Sequence, residues 1–361
     1  KCFRYIMKIA LLNDTHFGVR NDSEAFRKYQ LRFYNEIFFP YLQENNIKTL
    51  IHLGDAVDRR KFINFQTASI FRKQFWDRLY EEQIDTHIII GNHDTYFKNT
   101  NEVNAIENLY TSFDRKQEPF IYTKSTVVDF DGTPILFTPW ICDDNYDHSM
   151  EMLRTAKADL CFGHLEIKGI EMQNGVINEH GLAKSDFKRF EKVVSGHFHK
   201  HTDDGQIFYC GAQYEMTWSD YQDPKAFHVF DTETREMTRI SNPLTIHKKI
   251  IYDDKKKDYN NFDIKPYHNH FIKLIVLNKT DNELFDKFVE RLYNEISVHD
   301  LNIVEDYSDI KASVREDILE MGEDTVTFLN NYVDQLETDV SKTKLKEYLK
   351  SIYIEASDKT T

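Results

Sequence analysis

Residues 49–60 read TLIHLGDAVDRR: a run of strand-forming residues stops at Gly54 and delivers Asp55 at its end. Four other segments stop the same way, in Asp, Asn or His: IALLNDTH (9–16), IIIGNHD (88–94), LCFGH (160–164) and VVSGHFH (193–199). Parallel strands present their carboxyl ends to a common crevice, so the five ends are expected to converge. Glycines such as Gly54 and Gly91 let the backbone turn there and approach a metal or phosphate closely.

Asp, Asn and His without cysteine suit Mn2+, Fe2+ or Zn2+ with open positions better than a closed structural zinc. Two such ions about 3.5–4 Å apart can share one carboxylate and a hydroxide, and stabilise both oxygens of an in-line displacement at phosphorus. Asp55 is the expected shared carboxylate. His93, beside the candidate ligand Asn92, is then expected to protonate the leaving oxygen, with Asp94 as the carboxylate that orients it. Asp58 is expected one layer further out, holding the loop or a ligand histidine. A single GH pair carries no weight; the order of five motifs does.

The 361 residues exceed one ordinary domain, and 29% charged with 40% hydrophobic residues describes an ordered globular chain. Its net charge of −14 argues against a generally basic nucleic-acid coat. That balance does not exclude phosphate substrates, because two divalent ions held by two carboxylates leave the site at roughly +2. No apolar run is long enough to span a membrane, and the start lacks a signal peptide's apolar core, so a cytoplasmic location is expected. Met7 reads as a natural start, with residues 1–6 an upstream extension. Cys2, Cys142, Cys161 and Cys210 form no CxxC pair and are expected to be buried free thiols.

Strands are expected at 7–13, 49–53 and 87–90, alternating with amphipathic helices over 23–46 and 64–82. On the first helix Phe26, Tyr29, Phe33, Ile37, Tyr41 and Leu42 recur at helical spacing; on the second, Phe71, Phe75 and Leu79 do. From residue 120 shorter strands follow, with a hairpin turn at Asp131-Gly132 and a helix over 146–157. After residue 240 a βαβ unit is expected (strand 271–278, helix 281–296, strand 301–307), with 260–270 as a connection and closing helices over 325–336 and 342–356. The organisation expected is a main domain over 1–240, a small domain over 241–308 and terminal helices over 309–361.

The set DTH (14–16), GDAVD (54–58), GNHD (91–94), GH (163–164) and GHFH (196–199) resembles the calcineurin-type metallophosphoesterase superfamily. DTHFG (14–18) narrows the resemblance to the SbcD/Mre-type DNA repair nucleases, and GNHDTYFKN (91–99), TPWIC (138–142), GHLEIKG (163–169), HGLAKSDFKRFEKVVSGHFH (180–199) and DPKAFHVFDTET (223–234) to phage recombination endonuclease subunits among them. Phe17 stands where leucine is more usual, and Ala56-Val57 bring the second motif near the GDxVDRG of protein phosphatases; Arg60 and GNHD point back to the nucleases.

The resemblance implies an α/β fold, a four-layered sheet sandwich flanked by helices. It implies one metal on Asp14, His16, Asp55 and His199, a second on Asp55, Asn92, His164 and His197, and His93 as the catalytic histidine. It further implies Mn2+, exonuclease action on duplex ends and endonuclease action on single strands. A homodimer through the helices of the first 110 residues, a DNA-capping domain over 241–308, and terminal helices docked on an SbcC/Rad-type ATPase are implied as well. Arg59, Arg60, Lys61 and Lys98 are candidate DNA-backbone contacts, and Tyr96 and Phe97 are either part of that surface or, on the plainer reading, core. Two competing functions keep the fold: a metallophosphatase acting on phosphoprotein or a small phosphodiester, and an inactive scaffold.

Overall fold

Ile9, Ala10, Leu11 and Leu12 are fully buried in the strand Lys8–Leu12, as an unbroken apolar run requires of a strand covered on both faces. In the computed structural model, which describes residues 7–111, 119–173, 176–305, 333, 341–346 and 348–349, this strand lies inside a six-stranded sheet. Thr49–His52, Asp85–Ile89 and Phe120–Tyr122 extend it in parallel on one side, Lys225–Asp231 and Met237–Asn242 antiparallel on the other. The register Leu12 to His52 to Ile88 ends three parallel strands at one level. Asp14, Asp55 and Asn92 therefore leave the sheet at the same edge.

A second six-stranded sheet runs in the order Thr202–Asp203, Ile207–Tyr209, Lys192–Ser195, Leu160–Gly163, Thr133–Thr138, Thr126–Phe130. Ser195 pairs in parallel with Gly163, so His164 and His197 also start from one edge. The last two strands form the hairpin expected at Asp131-Gly132, where both residues take positive φ (51° and 87°), as a two-residue turn demands. Ile9, Leu11, Ile51 and Ile89 of the first sheet interdigitate with Ile135, Phe137, Leu160, Phe162 and Val194 of the second. Each such side chain contributes about 1.5–3 kcal/mol on burial.

Helices cover the outer faces, which completes four layers. Glu24–Phe33 continues through a π turn, Tyr34–Phe38, into Phe39–Glu44, and Phe38 meets Phe227 of the first sheet with ring centroids 5.2 Å apart. The wider turn advances the phase of the helix, so Phe38 and Phe39 are buried where the regular spacing pointed to Ile37 and Tyr41. Phe65–Phe71, a second π turn Arg72–Trp76 and Asp77–Glu81 form the neighbouring helix, with Phe71 stacked 3.8 Å from Phe17. On the far side Leu153 of the helix Tyr146–Thr155 packs among Leu136, Cys161 and Val193. Cys142, Cys161 and Cys210 are free and buried.

The chain divides into two units, the first comprising Lys1–Met216 with Gln222–Ile246, the second Thr217–Tyr221 with His247–Thr361. The second unit carries a three-stranded parallel sheet, His247–Asp253, Phe271–Asn278 and Asp300–Val304, with the helix Asn282–Asn294 packing Phe285, Phe288 and Leu292 onto it. The first of these strands is one more than the sequence reading expected, and Trp218 packs against it, 4.7 Å from the ring of His247. The expected boundary at 308/309, residues 1–6 and most of the closing helices over 325–336 and 342–356 lie outside the described residues.

Candidate metal centre

Asp14, His16, Asp55 and His197 all have positive φ (46°, 41°, 56° and 85°), a left-handed conformation that costs roughly 1 kcal/mol or more per side-chain-bearing residue. Strain of this kind persists only where the surroundings over-determine it, and here they do. The N–H of Asp14 donates to Gly54 O (2.9 Å), that of His16 to Asp55 O (3.1 Å) and that of Phe17 to Ala56 O (2.9 Å), which laces the first ligand loop to the second. The N–H of His197 donates to both carboxylate oxygens of Asp14, tying the two sheets together. Gly54 (φ +96°) is required for a second reason: a Cβ there would lie 2.5 Å from Nδ1 of His164. At Gly91 a Cβ would lie 2.2 Å from a carboxylate oxygen of Asp55.

The side chains gather into two groups, Asp14 with His16 and His199, and Asp55 with His164 and His197, the ligand atoms of each lying within 4.8 Å of one another. In the first, Nε2 of His16 faces Nε2 of His199 at 3.1 Å. In the second, Oδ1 of Asn92 lies 2.8 Å from His164 Nε2 and 3.2 Å from His197 Nδ1. Asp55 stands between them: its Oδ2 is 3.2 Å from His164 Nε2 and 3.9 Å from His16 Nε2. All seven expected ligands are thus brought together.

His164 tests whether this donor set fits metal ions. Its Nδ1 lies 2.8 Å from the carbonyl of Leu53, which can only accept, so Nδ1 carries the hydrogen. The neutral ring then aims the lone pair of Nε2 at two oxygens, those of Asn92 and Asp55. Lone pairs turned on one another in a fully buried place call for a cation, and a ligand histidine that donates its other N–H to a carbonyl is the usual arrangement. The residues fit.

Burial works to raise the carboxyl of Asp55, yet the neighbouring imidazoles of His164, His93 and His16, when protonated, hold it well below the usual carboxylate range. Asp14 is raised, by burial above all. Burial and then the charge of Asp55 push Asp94 up to about 7 against the pull of backbone amides. Burial takes His52 down to about 3, so it stays neutral.

His93 is half-buried beside the two groups, its Nδ1 2.5 Å from the carbonyl of Asp58 and its backbone N–H donating to Asp55 Oδ1 (2.7 Å). Asp94 is placed differently from the expectation that it orients His93: its two oxygens accept the amides of Gly91, Asp55, Ala56 and Val57. Asp58 holds His93 through its carbonyl, while its Oδ1 lies 3.6 Å from Nδ1 of the ligand candidate His16. Arg59 pairs with Asp22, at the end of a left-handed turn in which Arg20, Asn21 and Asp22 all have positive φ. Arg60 donates to Thr95 Oγ1 (3.1 Å), Lys61 lies over the Tyr96 ring, and Lys98 is exposed. Tyr96 and Phe97 are exposed rather than core. The reading missed Asn13, whose amide donates to Asp14, and Trp140, 5.2 Å from His197; Asn13 stands in the first motif and Trp140 in TPWIC, but neither residue type signals a metal.

The calcineurin-like phosphoesterase family matches residues 7–201, and the chain belongs to it. It is a hydrolase of that family, which works with divalent metal ions, and the two groups are candidate sites for a pair of them. The chain is 34% identical over 355 residues to "Exonuclease subunit 1" of Enterobacteria phage T4, covering 97% of this chain and 100% of that protein. A solved archaeal phosphodiesterase is similar over 65% of this chain and 100% of its own, at 18% identity and a TM-score of 0.31.

Proposed function

We propose that the protein is a Mn2+-dependent DNA phosphodiesterase, the nuclease subunit of a recombination and repair complex with exonuclease action on duplex ends and endonuclease action on single strands. The observation that carries this reading is the position of Asp55 between two imidazole-carboxylate groups, in a chain similar along nearly its whole length to a phage exonuclease subunit. Asp14, His16, Asp55 and His199 would hold one ion, and Asp55, Asn92, His164 and His197 the other. When bound, the pair supplies Lewis acidity at the phosphate and an activated water for in-line attack.

His93 does the proton work. The Asp58 carbonyl holds the hydrogen on Nδ1, so His93 would act as the imidazolium, passing its second proton from Nε2 to the leaving oxygen and remaining as the neutral ring. Asp94 acts one step back, holding the loops of Asp55 and Asn92 in register. Arg59, Arg60, Lys61 and Lys98 contact the DNA backbone beside the ions.

Partners follow from the same reading. Phe62, Phe65, Tyr96, Phe97 and Val103 form an exposed apolar set on the segments after the second and third motifs, which supports a homodimer through this region. The relative is by name one subunit of an assembly, which supports a partner subunit; we propose that this partner is an SbcC/Rad-type ATPase engaged through residues 309–361. That relative is a phage protein, which supports the cytoplasm of a bacterial host as the proposed location.

The deciding experiment compares Mn2+-dependent release of nucleotides from linear duplex DNA with release of phosphate from a phosphopeptide, using Asp55→Asn as the blank. Nucleotide release lost in the variant is expected. Activity on the phosphopeptide alone would replace the nuclease reading by a phosphatase.

A further inference from the structure

Thr15 lies between the ligand candidates Asp14 and His16, and its carbonyl oxygen receives two donors from distant parts of the chain. The hydroxyl of Tyr214 donates to it at 2.5 Å and the Nε2 amide of Gln30 at 3.0 Å. The same Gln30 amide also donates to the Tyr214 oxygen (3.2 Å), and the hydroxyl of Tyr34 lies 3.1 Å from it. A phenol has one hydrogen, and Tyr214 spends it on Thr15, so Tyr34 must be the donor in the second contact. Tyr214 thus gives one hydrogen bond and takes two. Thr15, Gln30, Tyr34 and Tyr214 are all at most 1% exposed, so no water substitutes for any of them.

The peptide plane that carries this carbonyl joins residues 15 and 16. Rotating that plane would change ψ of Thr15 and φ of His16 together, and φ of His16 is held at 41°, where an imidazole-bearing residue is strained. Two buried hydrogen bonds to the carbonyl, one of them short, oppose the rotation. From the other side of the same residue, the Thr15 hydroxyl donates to Ala56 O at 3.1 Å, next to Asp55.

We infer that Tyr214, assisted by Gln30, is a positioning residue for the first metal group: it locks the 15–16 peptide so that His16 points at His199 and Asp55. This rests on the binuclear reading above. Its consequence is selective. Loss of the Tyr214 hydroxyl should loosen the ion held through Asp14, His16 and His199 and leave the ion of Asp55, His164 and His197 in place.

The test is calorimetric titration of the full chain with Mn2+, with His16→Ala used to identify which of the two binding steps belongs to the first group. Tyr214→Phe is expected to weaken that step by about 10–100-fold, the scale for removing a group that orients a metal ligand, with the other step unchanged. Tyr29→Phe is the control: it deletes another buried tyrosine hydroxyl, one that donates to Leu244 O and accepts the N–H of Glu215 beside Tyr214 but does not reach Thr15, and should lose comparable stability with both steps intact. Should Tyr214→Phe not fold, Gln30→Met takes its place, with a smaller loss expected at the same step. Wild-type affinity in Tyr214→Phe, or in Gln30→Met where that stands in, or an equal loss in Tyr29→Phe, overturns the inference alone. A wild-type chain that takes up no Mn2+ overturns the binuclear reading and this inference with it.

Discussion

One oxygen of the Asp94 carboxylate accepts the backbone N–H of Asp55 and that of Gly91, both at 2.9 Å, while its other oxygen takes Ala56 (2.8 Å) and Val57 (3.2 Å). A single buried acid therefore fixes the two loops that carry the shared ligand candidate and Asn92. Asp94→Asn turns an N–H2 toward two of those amides. We expect a loss of about 1.5–3 kcal/mol in unfolding experiments, the range for hydrogen bonds to a charged group, and Mn2+ affinity lowered by about 10–100-fold. A variant as stable and as metal-avid as wild type would remove Asp94 from the account.

Asp55→Asn keeps the shape of the side chain and removes its charge. Two ions per chain should become one, counted by elemental analysis after dialysis, and nuclease turnover should fall by roughly 10²–10³-fold, the scale of losing one preorganised charge-stabilising group. Retention of two tightly bound ions would show that Asp55 does not bridge.

His93→Asn separates proton transfer from metal binding. Turnover on DNA should drop by about 10²–10⁴-fold, the span for general acid catalysis, with Mn2+ uptake unchanged. On a nitrophenyl phosphodiester, whose leaving group needs no proton, the deficit should shrink by most of that factor. An equal deficit on both substrates would mean that His93 serves something other than the leaving oxygen.

Phe65 is 91% exposed and Phe62 is 65% exposed. If they meet a second copy, Phe65→Glu should convert a dimer to a monomer in sedimentation experiments and leave the secondary structure intact. Unchanged sedimentation would send the search for the dimer elsewhere.

His228 is 1% exposed on the strand Lys225–Asp231, and neither ring nitrogen has a hydrogen-bond partner among the described residues; burial takes it down to about 3. Above the ordinary histidine range folded and unfolded chains are both neutral there, and no pH dependence arises. As the pH falls below about 6.5 the unfolded chain takes a proton that the fold refuses, so stability falls by up to about 1.4 kcal/mol per pH unit until about pH 3. His228→Phe should flatten that acid limb in urea titrations run between pH 7 and 4. A limb as steep as wild type would assign the acid sensitivity to other groups.

The convergence of the ligand side chains was legible because each motif closes a strand, and strands in parallel register end together; Leu12, His52 and Ile88 are the levels that make it so. The supporting contacts were not, since Tyr214 meets Thr15 across 199 positions with no periodic signal to announce it. Adjacency in sequence assigns Asp94 to His93, whereas the tight turn at Gly91 points its carboxylate at the amides of Gly91 and of the Asp55 loop. The π turn at Tyr34–Phe38 defeated regular spacing and displaced the buried stripe by one residue. In the strand His247–Asp253, the lysines and aspartate around Ile250–Tyr252 masked an apolar core of three residues.

Neither metal group is complete on one sheet: Asp14 and His16 wait for His199, and Asp55 waits for His164 and His197. A chain growing from its amino end can build the first three parallel strands and still own no cation site. Loading is possible only after residue 199 has been made and the two sheets have closed on each other, so the ions would be the last parts fitted, and their uptake a signal that assembly of the sandwich is finished.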